Sequence, residues 1–199
     1  MKVLNYLKTW GVTEKLSLRK LLMRTAFLVA LVCYKRPADL INMKITPEYW
    51  QLSEDGFVCQ PLGYGKTEAH NPTPPIKIEP FYEDPQLCPV FHLRILEKKL
   101  SGLRQATVSS FWLSARAPHH PITARTMSRW LAEVIREAGT SMGVAREVRS
   151  VGATVAVQAN LDIKQILKAG NWQRLSTLQR HYFRPQGLPS LTNILRIVQ

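Results

Sequence analysis

A tyrosine, three arginines and a lysine, widely separated along this 199-residue chain, make a set that can attack a phosphodiester. The tyrosine is Tyr182, in Leu178-Gln179-Arg180-His181-Tyr182-Phe183-Arg184-Pro185. The cations are Arg36 in Lys35-Arg36-Pro37-Ala38-Asp39-Leu40, Lys66 in Gly65-Lys66-Thr67, and the pair Arg146-x-x-Arg149. Cutting such a bond without a metal needs a nucleophile, positive charge on the two non-bridging oxygens, and an acid for the leaving oxygen. A phenolate can attack phosphorus and hold the strand end as a covalent ester, so rejoining needs no energy source. Guanidinium forks match phosphate oxygens two at a time and stay protonated at every accessible pH. Fixed in place, they stabilise charge that builds in the transition state. A lysine near the leaving oxygen can donate its proton.

The elements that must position these residues are mostly helical. Residues 16–34 return Leu18, Leu21, Leu22, Thr25, Phe27, Leu28, Leu31 and Val32 at helical spacing, apolar on most sides towards the end, as suits the centre of an all-helical core. Pro37 suits the first turn of a second helix. Trp50, Leu52, Phe57 and Val58 around Asp55-Gly56 predict short strands and a tight turn. The proline- and glycine-rich stretch 61–89 excludes a long helix and leaves a strand at residues 76–78. Helical periodicity resumes over 89–100, and Phe111-Trp112-Leu113 reads as a short buried strand or turn. Residues 123–138 form an amphipathic helix with Met127, Trp130, Leu131, Val134 and Ile135 on one face and Gly139 as its stop. Further helices are expected at 145–158, 162–169, 174–183 and 190–198. The fold class is mainly α with a small antiparallel β-sheet inserted after the second helix, in one domain.

Charge narrows the partner. Lys and Arg total 27 against 14 Asp and Glu, a net +13. Residues 1–44 hold nine basic and two acidic residues, residues 163–199 six basic and none acidic, and residues 45–100 five basic against eight acidic. Positive charge gathered at both ends favours a polyanion, because neutralised phosphates release condensed counterions. Cys33, Cys59 and Cys88 are odd in number and lack a CxxC pair, which argues against a disulfide framework and a zinc site. The longest uncharged apolar run, residues 25–34, is too short for a membrane span of roughly 20 residues. Basic residues interrupt the amino terminus where a signal peptide would need an apolar stretch. A nuclear or cytoplasmic protein, neither secreted nor in a membrane, is the expectation.

The order of these clusters resembles the tyrosine recombinase (phage integrase) family, and most closely the recombinases of DIRS-type retrotransposons. The resemblance runs from about residue 16 to 185. Arg36-Pro37-Ala38-Asp39-Leu40 is similar to the family's first arginine box, and Lys66 falls in the strand–turn–strand region that holds its lysine. Asp84-Pro85-Gln86-Leu87-Cys88-Pro89-Val90 resembles the Asp-Pro-x-Leu-Cys-Pro-Val of retrotransposon recombinases, and Pro121–Trp130 resembles the helix that follows. Arg146-Glu147-Val148-Arg149 aligns with the His-x-x-Arg box. Ile166-Leu167-Lys168-Ala169-Gly170-Asn171-Trp172 through Pro185 resembles the closing segment, where a His or Trp precedes the tyrosine.

The resemblance implies a catalytic domain in which Tyr182 attacks a phosphodiester of double-stranded DNA to give a 3′-phosphotyrosyl link. Arg36 and Arg149, helped by Arg146 and Trp172, would hold the phosphate, and Lys66 would protonate the 5′ oxygen, with no metal, nucleotide or other cofactor. It further implies DNA-dependent self-association through a tail helix in residues 187–199, where Leu191, Ile194, Leu195 and Val198 are spaced helically. Two departures stand out. Arg146 replaces the usual histidine, and arginine cannot pass a proton near neutral pH. The separate core-binding domain of such enzymes is expected to be absent, or truncated before Met1.

Each residue also has a plainer reading. Arg36 suits a helix-start cation paired with Asp39, and Lys66 a solvated loop lysine, with Lys77 competing for its role. Arg146 and Arg149 share a helix face at i,i+3 spacing, where one anion could bridge them. Trp172 suits core filling, and His181 competes with Tyr182. At the level of function, the other readings are a catalytically dead DNA-binding relic, a type IB topoisomerase and a helical module for a protein partner.

Overall fold

The computed structural model describes residues 2–62, 74–140 and 144–181. Eight helices and three strands follow in order: α1 (Lys2–Lys8), α2 (Leu18–Cys33), α3 (Pro37–Leu40), β1 (Trp50–Leu52), β2 (Phe57–Cys59), β3 (Ile76–Ile78), α4 (Pro89–Ser101), α5 (Ala124–Glu137), α6 (Arg146–Gln158), α7 (Ile163–Gly170) and α8 (Leu175–His181). The architecture is mainly helical with a small sheet, as the periodicities predict.

Helix α2 is the axis of the domain. Ser17 caps it, its side chain accepting the Lys20 N–H at 3.3 Å, so the helix begins two residues later than apolar spacing alone suggests. Leu21, Leu22, Met23, Ala26, Phe27, Leu28, Val29 and Ala30 are all buried, and α4, α5 and α6 pack around it. A helix buried on all sides through its middle turns needs neighbours on all sides there.

One buried residue of α2 is a cation. Arg24 donates to the Leu7 carbonyl and, at 3.0 Å, to the Gly11 carbonyl, tying α2 to the end of α1 and the turn that follows it. Helix α1 and the short 3-10 turn at Thr13–Lys15 have no apolar period strong enough to announce them. Tertiary contacts hold α1: Tyr6 donates to Glu137 at 2.7 Å, and Lys8 pairs with Asp84 at 2.7 Å.

The three strands form one antiparallel sheet in the order β1-β2-β3, with Trp50 opposite Cys59 and Phe57 opposite Ile78. The Asp55-Gly56 turn works because Gly56 takes φ +154°, a region closed to most side chains. Trp50 packs on Phe57 and Phe111 with centroids 4.7 and 4.5 Å away, joining the sheet to the helical core. Phe111, Trp112 and Leu113 are buried, and their segment pairs only through isolated bridges, Lys44 with Ser110 and Leu113 with Pro121. Thr123 caps α5, and all five residues expected on its inner face are buried. All three cysteines are free and buried.

Candidate functional site

The carboxy-terminal helices enclose a small second cluster of Tyr34, Ala153, Ala156, Ile166, Trp172 and Leu178, separate from the main core. At its edge stands Arg149, in the first turns of α6 and only 3% exposed. Burying a guanidinium demands partners. Its Nη2 donates to the Gly170 carbonyl at 2.5 Å, and its Nη1 lies 3.9 Å from Asp39 Oδ2. The guanidinium carbon sits 4.4 Å from the centroid of the Trp172 ring, a cation–π contact.

Each partner has a local cause. Asn171 ends α7 in the left-handed conformation, φ 53°, so that the Trp172 N–H returns to the Leu167 carbonyl at 2.9 Å. This tight stop lays the indole over Gly170, where a Cβ would collide with the ring. Trp172 is therefore buried and in contact with the arginine at once.

Arg36 precedes α3 as its N-cap and is exposed. Its backbone N–H donates to Asp39 Oδ2 at 2.8 Å, and the Asp39 N–H returns to the Arg36 carbonyl at 2.9 Å. The pairing of Arg36 with Asp39 thus involves the backbone of Arg36, and the same carboxylate oxygen faces Arg149. One acid ties the first arginine box to the second.

Arg146 is the first residue of α6 and exposed, whereas Arg149 is buried. The i,i+3 spacing puts them on one side of the helix, but at different depths. Lys77 lies on the exposed face of β3, between buried Ile76 and Ile78. Lys66, Tyr182 and residues 187–199 lie outside the described residues. Helix α8 ends at His181, the residue before Tyr182, and Leu178 anchors it in the second cluster.

Two contributors carry no signal in the sequence. Tyr34 stacks on Trp172 with centroids 6.2 Å apart and ring planes 26° apart. Burial pushes its phenol up from the usual value, and Cys33 nearby adds to that rise. Gly152, one turn beyond Arg149, lets α6 approach α2, since a Cβ there would strike the Leu31 carbonyl. A second cationic feature lies elsewhere. An open cleft of about 530 Å³ is lined by Arg116, His120, Thr126 and Arg129 among others, with Arg19 at its edge paired to Glu133 at 2.6 Å.

A buried arginine held by a carbonyl, a carboxylate and an indole presents a fixed guanidinium plane, a group of the type that can meet a phosphate bidentately. The backbone as a whole has known counterparts. It is similar to XerH site-specific recombinase bound to palindromic difH substrate in a post-cleavage complex, with a TM-score of 0.68 and 14% identity over 99% of this chain and 49% of that one. The fold is that of a tyrosine recombinase catalytic domain. Tn1549 transposon integrase in complex with transposon right end DNA gives a TM-score of 0.62 at 12% identity, over 98% of this chain and 61% of that one. A lambda integrase dimer bound to a COC′ core site gives 0.57 at 17%, over 96% and 48%. This chain spans about half the length of the XerH and lambda integrase chains. No protein-family model matches the sequence, and no curated protein matches it.

Proposed function

We propose that this chain is the catalytic domain of a DNA strand-exchange enzyme of mobile-element origin, akin to the recombinases of DIRS-type retrotransposons. In this reading Tyr182 attacks a phosphodiester, its oxygen bonding to phosphorus as the 5′ oxygen departs. Arg36, Arg149 and Arg146, with Trp172, carry the phosphate, and Lys66 gives its proton to the departing oxygen. A 5′ hydroxyl of a second strand then attacks the phosphotyrosyl link and frees the tyrosine. Residues 187–199 assemble neighbouring copies on DNA. Acting on DNA places the chain in a nucleus, or in the cytoplasm of a prokaryotic host.

The observation that carries this reading is Arg149, buried and held by Asp39, Gly170 and Trp172 within a recombinase fold. Further support comes from the net +13 charge and from the recombinases of similar fold whose structures hold their DNA. The deciding experiment incubates the purified chain with nicked suicide DNA and compares wild type with Tyr182→Phe on a denaturing gel. A shifted band in wild type alone supports the reading. Salt-sensitive DNA retention without a band replaces it with a binding relic, the second reading, which Arg146 at the usual histidine position favours.

Two further experiments address the parts. A 5′-bridging phosphorothiolate needs no proton on its leaving group. It should restore cleavage to a Lys66→Ala variant, and rescue of Lys77→Ala in its place would transfer the role to Lys77. Deleting residues 187–199 should abolish recombination and leave cleavage measurable, and unchanged recombination would remove the tail from the assembly.

A further inference from the structure

Tyr34 belongs to no motif, yet its backbone and its ring both lead to Arg149. It ends α2 in the left-handed conformation, φ 52° and ψ 36°. That region costs any residue with a Cβ, and a bulky ring there is an outlier that surrounding structure must hold in place. Asn171, which ends α7 in the same conformation, is of a type that tolerates it; tyrosine is not.

The ring is held on two sides. It stacks on Trp172 at 6.2 Å, and Trp172 in turn carries the Arg149 guanidinium at 4.4 Å. On the α6 side it comes so close to Gly152 that a Cβ there would lie 3.0 Å from Tyr34 Cδ1. The backbone gives a second route. The left-handed turn at Tyr34 redirects the chain into Lys35-Arg36, and the Arg36 N–H meets the Asp39 oxygen that lies 3.9 Å from Arg149 Nη1. Ring and backbone thus converge on one guanidinium from opposite ends of a short circuit.

We propose that Tyr34 is a positioning residue of the candidate site, its ring fixing the plane of Trp172 and, through it, the orientation of Arg149. The proposal rests on the reading of Arg149 as a phosphate-holding group. Tyr34 itself touches neither the phosphate nor the nucleophile in this scheme; it acts through the indole. A residue serving only the small core around Ala153, Ala156 and Ile166 would affect melting and little else.

The test compares wild type with Tyr34→Phe, which keeps the ring, and Tyr34→Gly, which relieves the left-handed backbone and removes the ring. Tyr34→Leu, apolar but without a π-face, repeats the test if Tyr34→Gly does not fold. Three quantities are read: adduct rate on suicide DNA, half-saturating DNA concentration, and the ¹⁹F resonance of Trp172 in 5-fluorotryptophan-labelled protein, identified with Trp172→Phe. For the ringless variants the adduct rate should fall at least about tenfold, as expected when a catalytic group is misplaced. Their half-saturation should stay within about twofold, because most DNA affinity is distributed over many phosphate contacts. The Trp172 resonance should move in the ringless variants and hold in Tyr34→Phe, which should also keep the adduct rate.

Unchanged rate and resonance in the ringless variants would overturn the proposal, as would an equal loss in Tyr34→Phe. If wild type forms no adduct, the strand-exchange reading falls, and the fluorine resonance alone decides whether Tyr34 sets the indole.

Discussion

Asp39 and Arg149, 110 positions apart in the chain, face each other at 3.9 Å across the junction of α3 and α6, through a carboxylate oxygen that also accepts the Arg36 N–H. The acid therefore does two opposing things. It orders the turn that presents Arg36, and it offsets part of the positive charge of Arg149. If Arg149 holds a phosphate as proposed, removing the acid should separate affinity from rate.

Asp39→Asn should leave DNA retention equal or tighter, since a negative charge leaves a cationic site. Adduct formation should slow, because the guanidinium loses one of its fixed neighbours. Filter retention across salt concentrations and single-turnover gels measure the two separately, and parallel loss of both would contradict this account.

Arg149→Lys keeps the charge and discards the fork. A lysine cannot meet Gly170, Trp172 and a phosphate together. The adduct rate should drop about 10²–10³-fold, the range seen when one transition-state donor is removed. Melting should fall modestly, by the loss of one buried hydrogen bond to Gly170, about 1 kcal/mol. A rate near that of wild type would mean that a point charge suffices.

Gly152→Ala adds one methyl group where α6 meets α2, against the Leu31 carbonyl and the Tyr34 ring. Overpacking of this kind costs about 1–3 kcal/mol. For a domain of this size, Tm should drop by roughly 2–4 °C for each kcal/mol. Calorimetry checks it, and an unchanged Tm would show that the helices can separate freely.

Acid should weaken the fold through His92. Its ring is fully buried, bonded to the Cys88 carbonyl at 2.8 Å and to Thr13 Oγ1 at 3.2 Å. Burial is the main cause that pulls the imidazole down to about 4 from 6.5; the Cys88 carbonyl opposes the shift and Arg24 adds to it. Below 6.5 the unfolded chain takes up a proton that the folded chain refuses, so stability is full above that pH and declines as pH falls towards 4. The loss should reach about 3 kcal/mol. Urea titrations from pH 7 to 4 should show that slope in wild type and a flatter one in His92→Gln.

What the sequence made legible tracks how local the cause is. Helix α5 was readable residue by residue, because one face of Met127, Trp130, Leu131, Val134 and Ile135 meets the core and Thr123 starts it. The Asp55-Gly56 hairpin was readable for the same reason. Helix α1 was not, since its stability comes from Arg24, Glu137 and Asp84, all distant in sequence. Within the site, the arginine boxes stood out as motifs, but the difference in depth between Arg146 and Arg149 depends on where α6 begins. Tyr34 left no trace at all, because a ring in a left-handed turn has no pattern until Gly152 and Trp172 arrive beside it.

The fastening of Arg149 has an entropic consequence. A free arginine side chain carries roughly 2 kcal/mol of rotamer freedom. Here Gly170, Asp39 and Trp172 remove that freedom as the chain folds, so the disorder is lost during folding and an arriving anion meets a cation already at rest. Arg36 and Arg146, by contrast, are exposed at the starts of α3 and α6. In the proposed phosphate site, orientation would then rest on the buried arginine, whose ordering precedes the anion's arrival.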